Sequence, residues 1–129
     1  MSQTFTVEII SPDRSVIKTN TSEVIIPSFE GEMGILKDHI PLITFLRPGL
    51  IKITGEKEKI FFVDDGTVEF ANNTLLILTS TAKELSTLDK SSINSQISEA
   101  ELKINNETLK DKEKYLLSYK IDTLKNINQ

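Results

Sequence analysis

From Ala82 to the end of the chain there is neither glycine nor proline, whereas the residues before it hold all five glycines and all four prolines. Such uneven punctuation rules out a single structural plan. Glycine reaches backbone conformations that other residues avoid, and proline fixes its own dihedral and restricts its predecessor, so both mark turns and strand ends. After Ala82, Lys, Glu, Ser, Asn, Leu and Ile take over, which predicts helix. The division is placed between residues 84 and 85: a β-domain over 1–84 and a helical domain over 85–129. A chain of 129 residues suffices for one ordinary domain, or a small domain with an appendage, but not for two of full size.

Within the first part, Phe5, Val7 and Ile9 alternate with Thr6 and Glu8, the period of a half-buried strand that Ser11-Pro12-Asp13 ends. Ser15 to Lys18 and Glu23 to Ile26 predict two more strands, with a turn near Asn20 between them and Pro27 closing the second. Glu30 to Gly49 collects three glycines, two prolines and the only histidine, and predicts a shaped loop in which Gly34 holds a conformation costly to other residues. Leu42 to Leu46 and Leu50 to Thr54 read as a hairpin turned by Pro48-Gly49. Lys59 to Val63, Thr67 to Phe70 and Thr74 to Thr79 follow, introduced by Gly55, Asp65-Gly66 and Asn72-Asn73 respectively. Strands this closely spaced, with no helix between them, predict an antiparallel sandwich or barrel.

In the second part Ile93, Ile97, Ala100 and Ile104 recur at helical spacing, predicting a helix from about Lys90 to Asn105 capped by Ser91 or Ser92. Continuing that phase would bury Thr108 and Asp111, so the helix breaks at Asn105-Asn106. A second stripe, Leu117, Ile121 and Leu124 with Tyr115 and Leu116 beside it, restarts after a capping box at Thr108 to Asp111. The expected fold is therefore an N-terminal antiparallel β-sandwich followed by a C-terminal two-helix antiparallel hairpin. Helices this short need packing on each other or on the sandwich.

Composition narrows the chemistry. With no cysteine, disulfides, thiolate metal sites and cysteine nucleophiles are excluded. The net charge of −4 and the lack of tryptophan argue against a nucleic-acid or carbohydrate groove. The amino-terminal residues lack the pattern of a secretion signal, and no apolar run has the roughly 20 residues that cross a bilayer. A protein partner is the expected ligand.

Glu30-Gly31-Glu32-Met33-Gly34-Ile35, then His39-Ile40-Pro41-Leu42, then Leu46-Arg47-Pro48-Gly49, in a β-domain followed by a helical hairpin, resembles the epsilon subunit of F-type ATP synthases of the bacterial type. The likeness covers the whole chain. It implies a non-catalytic rotor subunit of the central stalk, whose sandwich binds the gamma subunit and sits on the c-ring, coupling ion passage to ATP synthesis. It further implies a hairpin that either folds onto the sandwich or extends toward the alpha and beta subunits and inhibits hydrolysis. The implied location is peripheral, on the cytoplasmic face of the bacterial inner membrane, with no direct insertion.

Carried over by position, Glu30, Gly31 and Glu32 match the loop that faces the c-ring, and His39, Pro41 and Leu42 the part associated with gamma. On the residues themselves, His39 reads as a structural or interface residue, because a metal site gathers several ligands. Glu30 and Glu32 read as exposed turn acids, Asp38 as a turn residue, and Asp64-Asp65-Gly66 as a turn rather than a calcium loop. A small enzyme using Asp38 and His39 is the competing reading, and needs a concave pocket converging on them. Lys110, Lys112, Lys114 and Lys120 suit either a solvated helix face or contact with an acidic surface of the catalytic head. Some bacterial members bind ATP through a motif of Ile or Leu, Asp, two variable residues, Arg and Ala. Here Leu88-Asp89-Lys90-Ser91-Ser92-Ile93 lacks the arginine and its phosphate fork. No cofactor is expected.

Overall fold

A computed structural model describes residues 3–127. Ten strands lie in chain order: β1 (Phe5–Ser11), β2 (Arg14–Thr21), β3 (Glu23–Ser28), β4 (Gly31–Leu36), β5 (Leu42–Leu46), β6 (Gly49–Ile53), β7 (Lys59–Val63), β8 (Gly66–Ala71), β9 (Thr74–Leu78) and β10 (Ala82–Glu84). A 3₁₀ turn at Leu85–Thr87 leads into α1 (Lys90–Ile104) and α2 (Asp111–Ile127). The strand order is β10-β7-β6-β3-β5-β8-β9-β1-β2, with β4 on the other side of β3. Between β3 and β5 the only registered pair is Ser28 with Leu46. That narrow junction divides the sheet into two halves whose inner residues meet as a sandwich.

One apolar core fills the sandwich. Phe5, Val7 and Ile9 of β1 meet Val24 and Ile26 of β3, Ile51 and Ile53 of β6, Phe61 and Val63 of β7, Val68 and Phe70 of β8, and Leu75 and Ile77 of β9. The alternation read along β1 is seen directly: Phe5, Val7 and Ile9 are buried while Thr6 and Glu8 are half-exposed. A second core lies on the outside of the β6–β7 half, where Phe62 packs with Ile93, Ile97 and Leu124, flanked by Leu50, Leu88 and Ile127. Phe61, Phe62 and Val63 are therefore all buried, because one face of β7 is covered by the opposite half of the sheet and the other by the hairpin.

Several expectations are corrected by the register. Leu42–Leu46 and Gly49–Ile53 are both strands but not a hairpin: β5 pairs with β8, and β6 with β7 and β3. Pro48-Gly49 instead carries the chain across the end of β3, from one half of the sandwich to the other. The amide of Arg47 donates to the carbonyl of Pro27 there, and a Cβ on Gly49 would lie 2.6 Å from that of Pro27. Pro27 does not close β3 but sits inside it, paired with Glu32. The loop reading of Glu30 to Leu36 also yields, since Gly31–Leu36 is a strand antiparallel to β3. Gly34 in it has no positive φ, whereas Gly31 has φ +134°. Asn20 is not a turn; it pairs with Thr6 inside β2.

The first strand joins the sheet by pairing in parallel with β9, an exception to the antiparallel expectation. Parallel neighbours need a long crossover, and nearly the whole β-domain lies between these two. In the helical part, Asp89 rather than Ser91 or Ser92 caps α1, its carboxylate accepting from the amide of Ser92 at 2.7 Å. The capping box at Thr108 does not form: α2 starts at Asp111, and the Thr108 amide and hydroxyl both donate to Asn106 Oδ1. Ile93, Ile97 and Ala100 are buried on α1 and Ile121 and Leu124 on α2. Ile104, at the end of its stripe, is only half-buried.

Candidate functional site

The two outer faces of the sandwich differ in what covers them. On the β6–β7 side the hairpin lies over Phe62. On the β5–β8–β9 side no described residue covers Ile43, 72% exposed, Phe45, 57%, and Leu78, 47%; Ile40, 74% exposed, lies in the connection before β5, and Leu36, 54% exposed, ends β4. Register places Ile43, Phe45 and Leu78 on one patch. Phe45 is opposite Thr67, which is opposite Leu78, which is opposite Ile10. One row along, Ile43, Glu69, Leu76 and Glu8 are aligned in the same way. A half-buried strand normally presents polar groups to water, as Glu8, Thr67 and Glu69 do here; the large apolar side chains exposed between them make this face a candidate interaction surface. Next to it a cavity of about 510 Å³ is lined by Ile10, Pro12, Gly66 and Leu78 among others.

The six residues matched to partner contact fall into two groups at opposite ends of β4, whose length is about 20 Å. Glu30 lies in the turn from β3 into β4, and Gly31 and Glu32 are the first two residues of β4; both carboxylates are exposed. The Ser28 hydroxyl donates to the Gly31 carbonyl at 2.7 Å and the Phe29 amide to the carbonyl of Phe45 at 3.2 Å. His39 and Pro41 lie at the other end, in the connection to β5, while Leu42 is the first residue of β5 and packs against the sandwich core.

That connection is held by a reciprocal clasp. The Asp38 amide donates to Asn73 Oδ1 at 2.7 Å, and Asn73 Nδ2 donates to Asp38 Oδ1 at 2.8 Å. Both residues have positive φ, 64° and 54°, a conformation that Asn and Asp tolerate better than most side chains. The clasp sets the backbone from which Ile40 projects. The His39 ring meets Phe70 edge-on, and its Nδ1 lies 2.7 Å from the carbonyl of Ile40, an acceptor that selects the tautomer with Nδ1–H donating. This is the environment of a packing residue. Among the described residues no group of three or more His, Cys, Asp or Glu could hold a metal ion, and no helix is long and apolar enough to cross a membrane.

The lysines singled out on the hairpin are not equivalent. Lys110 and Lys112 are exposed and Lys114 half-buried, with Lys112 Nζ 6.0 Å from the centre of the Phe29 ring. Lys120 is turned onto the sandwich, its Nζ 2.9 Å from Asp64 Oδ1. Sequence reasoning named Tyr115 and Arg47 but not their contact, and did not single out Tyr119 or Phe29. The Tyr115 hydroxyl donates to the carbonyl of Phe29 at 3.0 Å, and the Arg47 guanidinium carbon lies 3.8 Å from the centre of the Tyr119 ring.

The family described as "ATP synthase, Delta/Epsilon chain, beta-sandwich domain" has a sequence model that matches residues 4–85. The chain belongs to this family. It is 46% identical to the ATP synthase epsilon chain of Pelagibacter ubique over 99% of this chain and 100% of that one. With the chloroplastic epsilon chain of Gracilaria tenuistipitata it shares 37% identity, over 86% of this chain and 83% of the relative. In a structure of the Euglena gracilis mitochondrial ATP synthase, comprising OSCP, F1 and c-ring, one chain superposes with a TM-score of 0.81 at 18% identity, covering all of this chain and 84% of that one. The Tetrahymena thermophila central stalk and c-ring structure gives 0.65 at 14% identity, covering 96% of each chain. These two likenesses are of fold. The family model ends at residue 85, close to the change in sequence pattern at Ala82.

Proposed function

We propose that this chain is a non-catalytic rotor subunit of the central stalk of an F-type ATP synthase. The observation that carries the reading is the uncovered apolar face of β5, β8 and β9, in a family whose named members are ATP synthase chains. That face, with His39, Pro41 and Leu42 at its edge, is assigned to the gamma subunit. The exposed turn Glu30-Gly31-Glu32 is assigned to the polar loops of the c-ring. A sheet sandwich suits the task physically, because a soft adaptor would dissipate rotation as local deformation. The subunit then sits at the cytoplasmic face of the bacterial inner membrane, held there by its partners and not by insertion.

The hairpin is assigned a regulatory role: docked as described, or extended toward the alpha and beta subunits, where Lys110, Lys112, Lys114 and Lys120 meet acidic surface and slow ATP hydrolysis. Lys120 is free for that contact only after leaving Asp64. No nucleotide is assigned to the hairpin, since Ser92 stands where the binding motif needs arginine.

The test is the double substitution Ile43→Glu with Phe45→Glu. Neither side chain belongs to the core, so the circular-dichroism spectrum should be unchanged and the thermal transition should fall only slightly, because a carboxylate at position 43 faces that of Glu69. Association with the gamma subunit should weaken by at least about a hundredfold, the equivalent of losing two buried apolar side chains. Undiminished co-purification with gamma would remove this face from the reading.

A further inference from the structure

The docked hairpin does not rest only on the second apolar core. Its α2 helix also touches the turn that joins β3 to β4, at the opposite end of the sandwich from His39. Tyr115 stacks near-parallel on Phe29, with ring centres 6.2 Å apart and planes 19° apart, and its hydroxyl donates to the Phe29 carbonyl at 3.0 Å. Tyr119 stands edge-on to Tyr115 at 4.8 Å and lies under the Arg47 guanidinium. Arg47 Nη1 reaches the Tyr115 hydroxyl at 3.4 Å, while the Arg47 amide donates to the carbonyl of Pro27, two residues before Phe29. The turn is in turn tied to the open face, because the Phe29 amide donates to the carbonyl of Phe45.

We propose that Phe29, Arg47, Tyr115 and Tyr119 form a latch that makes hairpin docking and the shape of the Phe29–Gly31 turn a single linked equilibrium. The Phe29 carbonyl is the acceptor for Tyr115 only while the turn holds its present path. That path depends on Gly31, whose φ of +134° is a conformation that side chains other than glycine rarely adopt. Loosening the turn therefore removes the acceptor and the stacking ring together, and the hairpin is released more often. By reciprocity, releasing the hairpin loosens the turn by the same factor. A partner that holds the Glu30–Glu32 segment in this conformation stabilises the docked hairpin. That last step rests on the functional reading given above, whereas the linkage belongs to the isolated chain and is tested there.

Gly31→Val perturbs the turn without approaching the hairpin, since no atom lies within 4 Å of where its Cβ would be. Tyr115→Phe perturbs the hairpin side and leaves the ring stack in place. Amide hydrogen exchange on the full-length chain reads both ends. In Gly31→Val, exchange along α2 should rise by about fivefold or more, while β9 amides keep their protection. In Tyr115→Phe, exchange of the Phe29 amide should rise about fivefold, the effect of losing one hydrogen bond. Unchanged α2 exchange in Gly31→Val means the elements open independently and overturns the proposal. If Gly31→Val does not fold, Tyr115→Phe decides alone: an unchanged Phe29 amide overturns the linkage. Neither result depends on whether gamma or the c-ring is the partner.

Discussion

Gly49 has no room for a side chain, because a Cβ would sit 2.6 Å from Pro27 Cβ, where the chain crosses between the halves of the sandwich. Gly49→Ala should therefore cost about 1–3 kcal/mol by overpacking, read as a lower urea midpoint with unchanged slope. Gly34 is the contrast. Its backbone is ordinary strand, and an added Cβ would meet only the far end of the Glu23 side chain at 3.4 Å. Gly34→Val should shift stability by less than about 1 kcal/mol, against the strain that the glycine-rich sequence suggested. Asn73→Ala removes both clasp bonds to Asp38 and should cost about 1–2 kcal/mol in the same unfolding measurement. The sequence marked all of these positions as special, but not what each was for. A glycine announces a backbone requirement or a close approach alike, and only the neighbours in space separate Gly31, with its positive φ, from Gly49, with its wall of Pro27.

At the level of elements, whatever depends on local periodicity was legible. Ile93, Ile97 and Ala100 share one helical face and are buried, and Phe5, Val7 and Ile9 share one strand face and are buried. Pairing was not legible, because it is decided by residues far apart in sequence. Pro48-Gly49 turns the chain equally well into a hairpin or across a sandwich corner, and β4 exists because its backbone finds Glu23 to Ser28 as a partner. The latch was also invisible, since Phe29 and Arg47 lie more than sixty residues before Tyr115. Phe62 tests the independence of the two cores. It is buried against Ile93, Ile97 and Leu124, outside the sandwich core. Phe62→Ala should thus weaken docking by about 3 kcal/mol or more, raising exchange in α1 and α2 while β1, β8 and β9 stay protected. Equal loss of protection everywhere would show one cooperative unit instead.

For the whole molecule, the asymmetry of the two sheet faces suggests how the parts divide their work. The face of β6 and β7 is covered by the chain's own hairpin; the face of β5, β8 and β9, uncovered by any described residue, is the one assigned above to gamma. The residues of the inner core all come from β1 to β9, so the proposed unit over 1–84 closes its interior without α1 or α2. A chain ending at Leu88 should accordingly fold, with its circular dichroism reduced by the helical contribution alone and its sandwich amides protected as before. It should newly expose Phe62 and Leu50, and so bind an apolar dye or self-associate more than the full-length chain does. Because Ile43 and Phe45 are on the opposite face, association with gamma should survive. In the assembled enzyme the truncated subunit should raise the ATPase rate while synthesis stays coupled, as the element proposed to inhibit is missing. An equal ATPase rate with either form would mean that the hairpin is not inhibitory in this enzyme. Loss of gamma association would mean that the hairpin supports the open face from behind, a coupling that runs through Phe29 and Phe45.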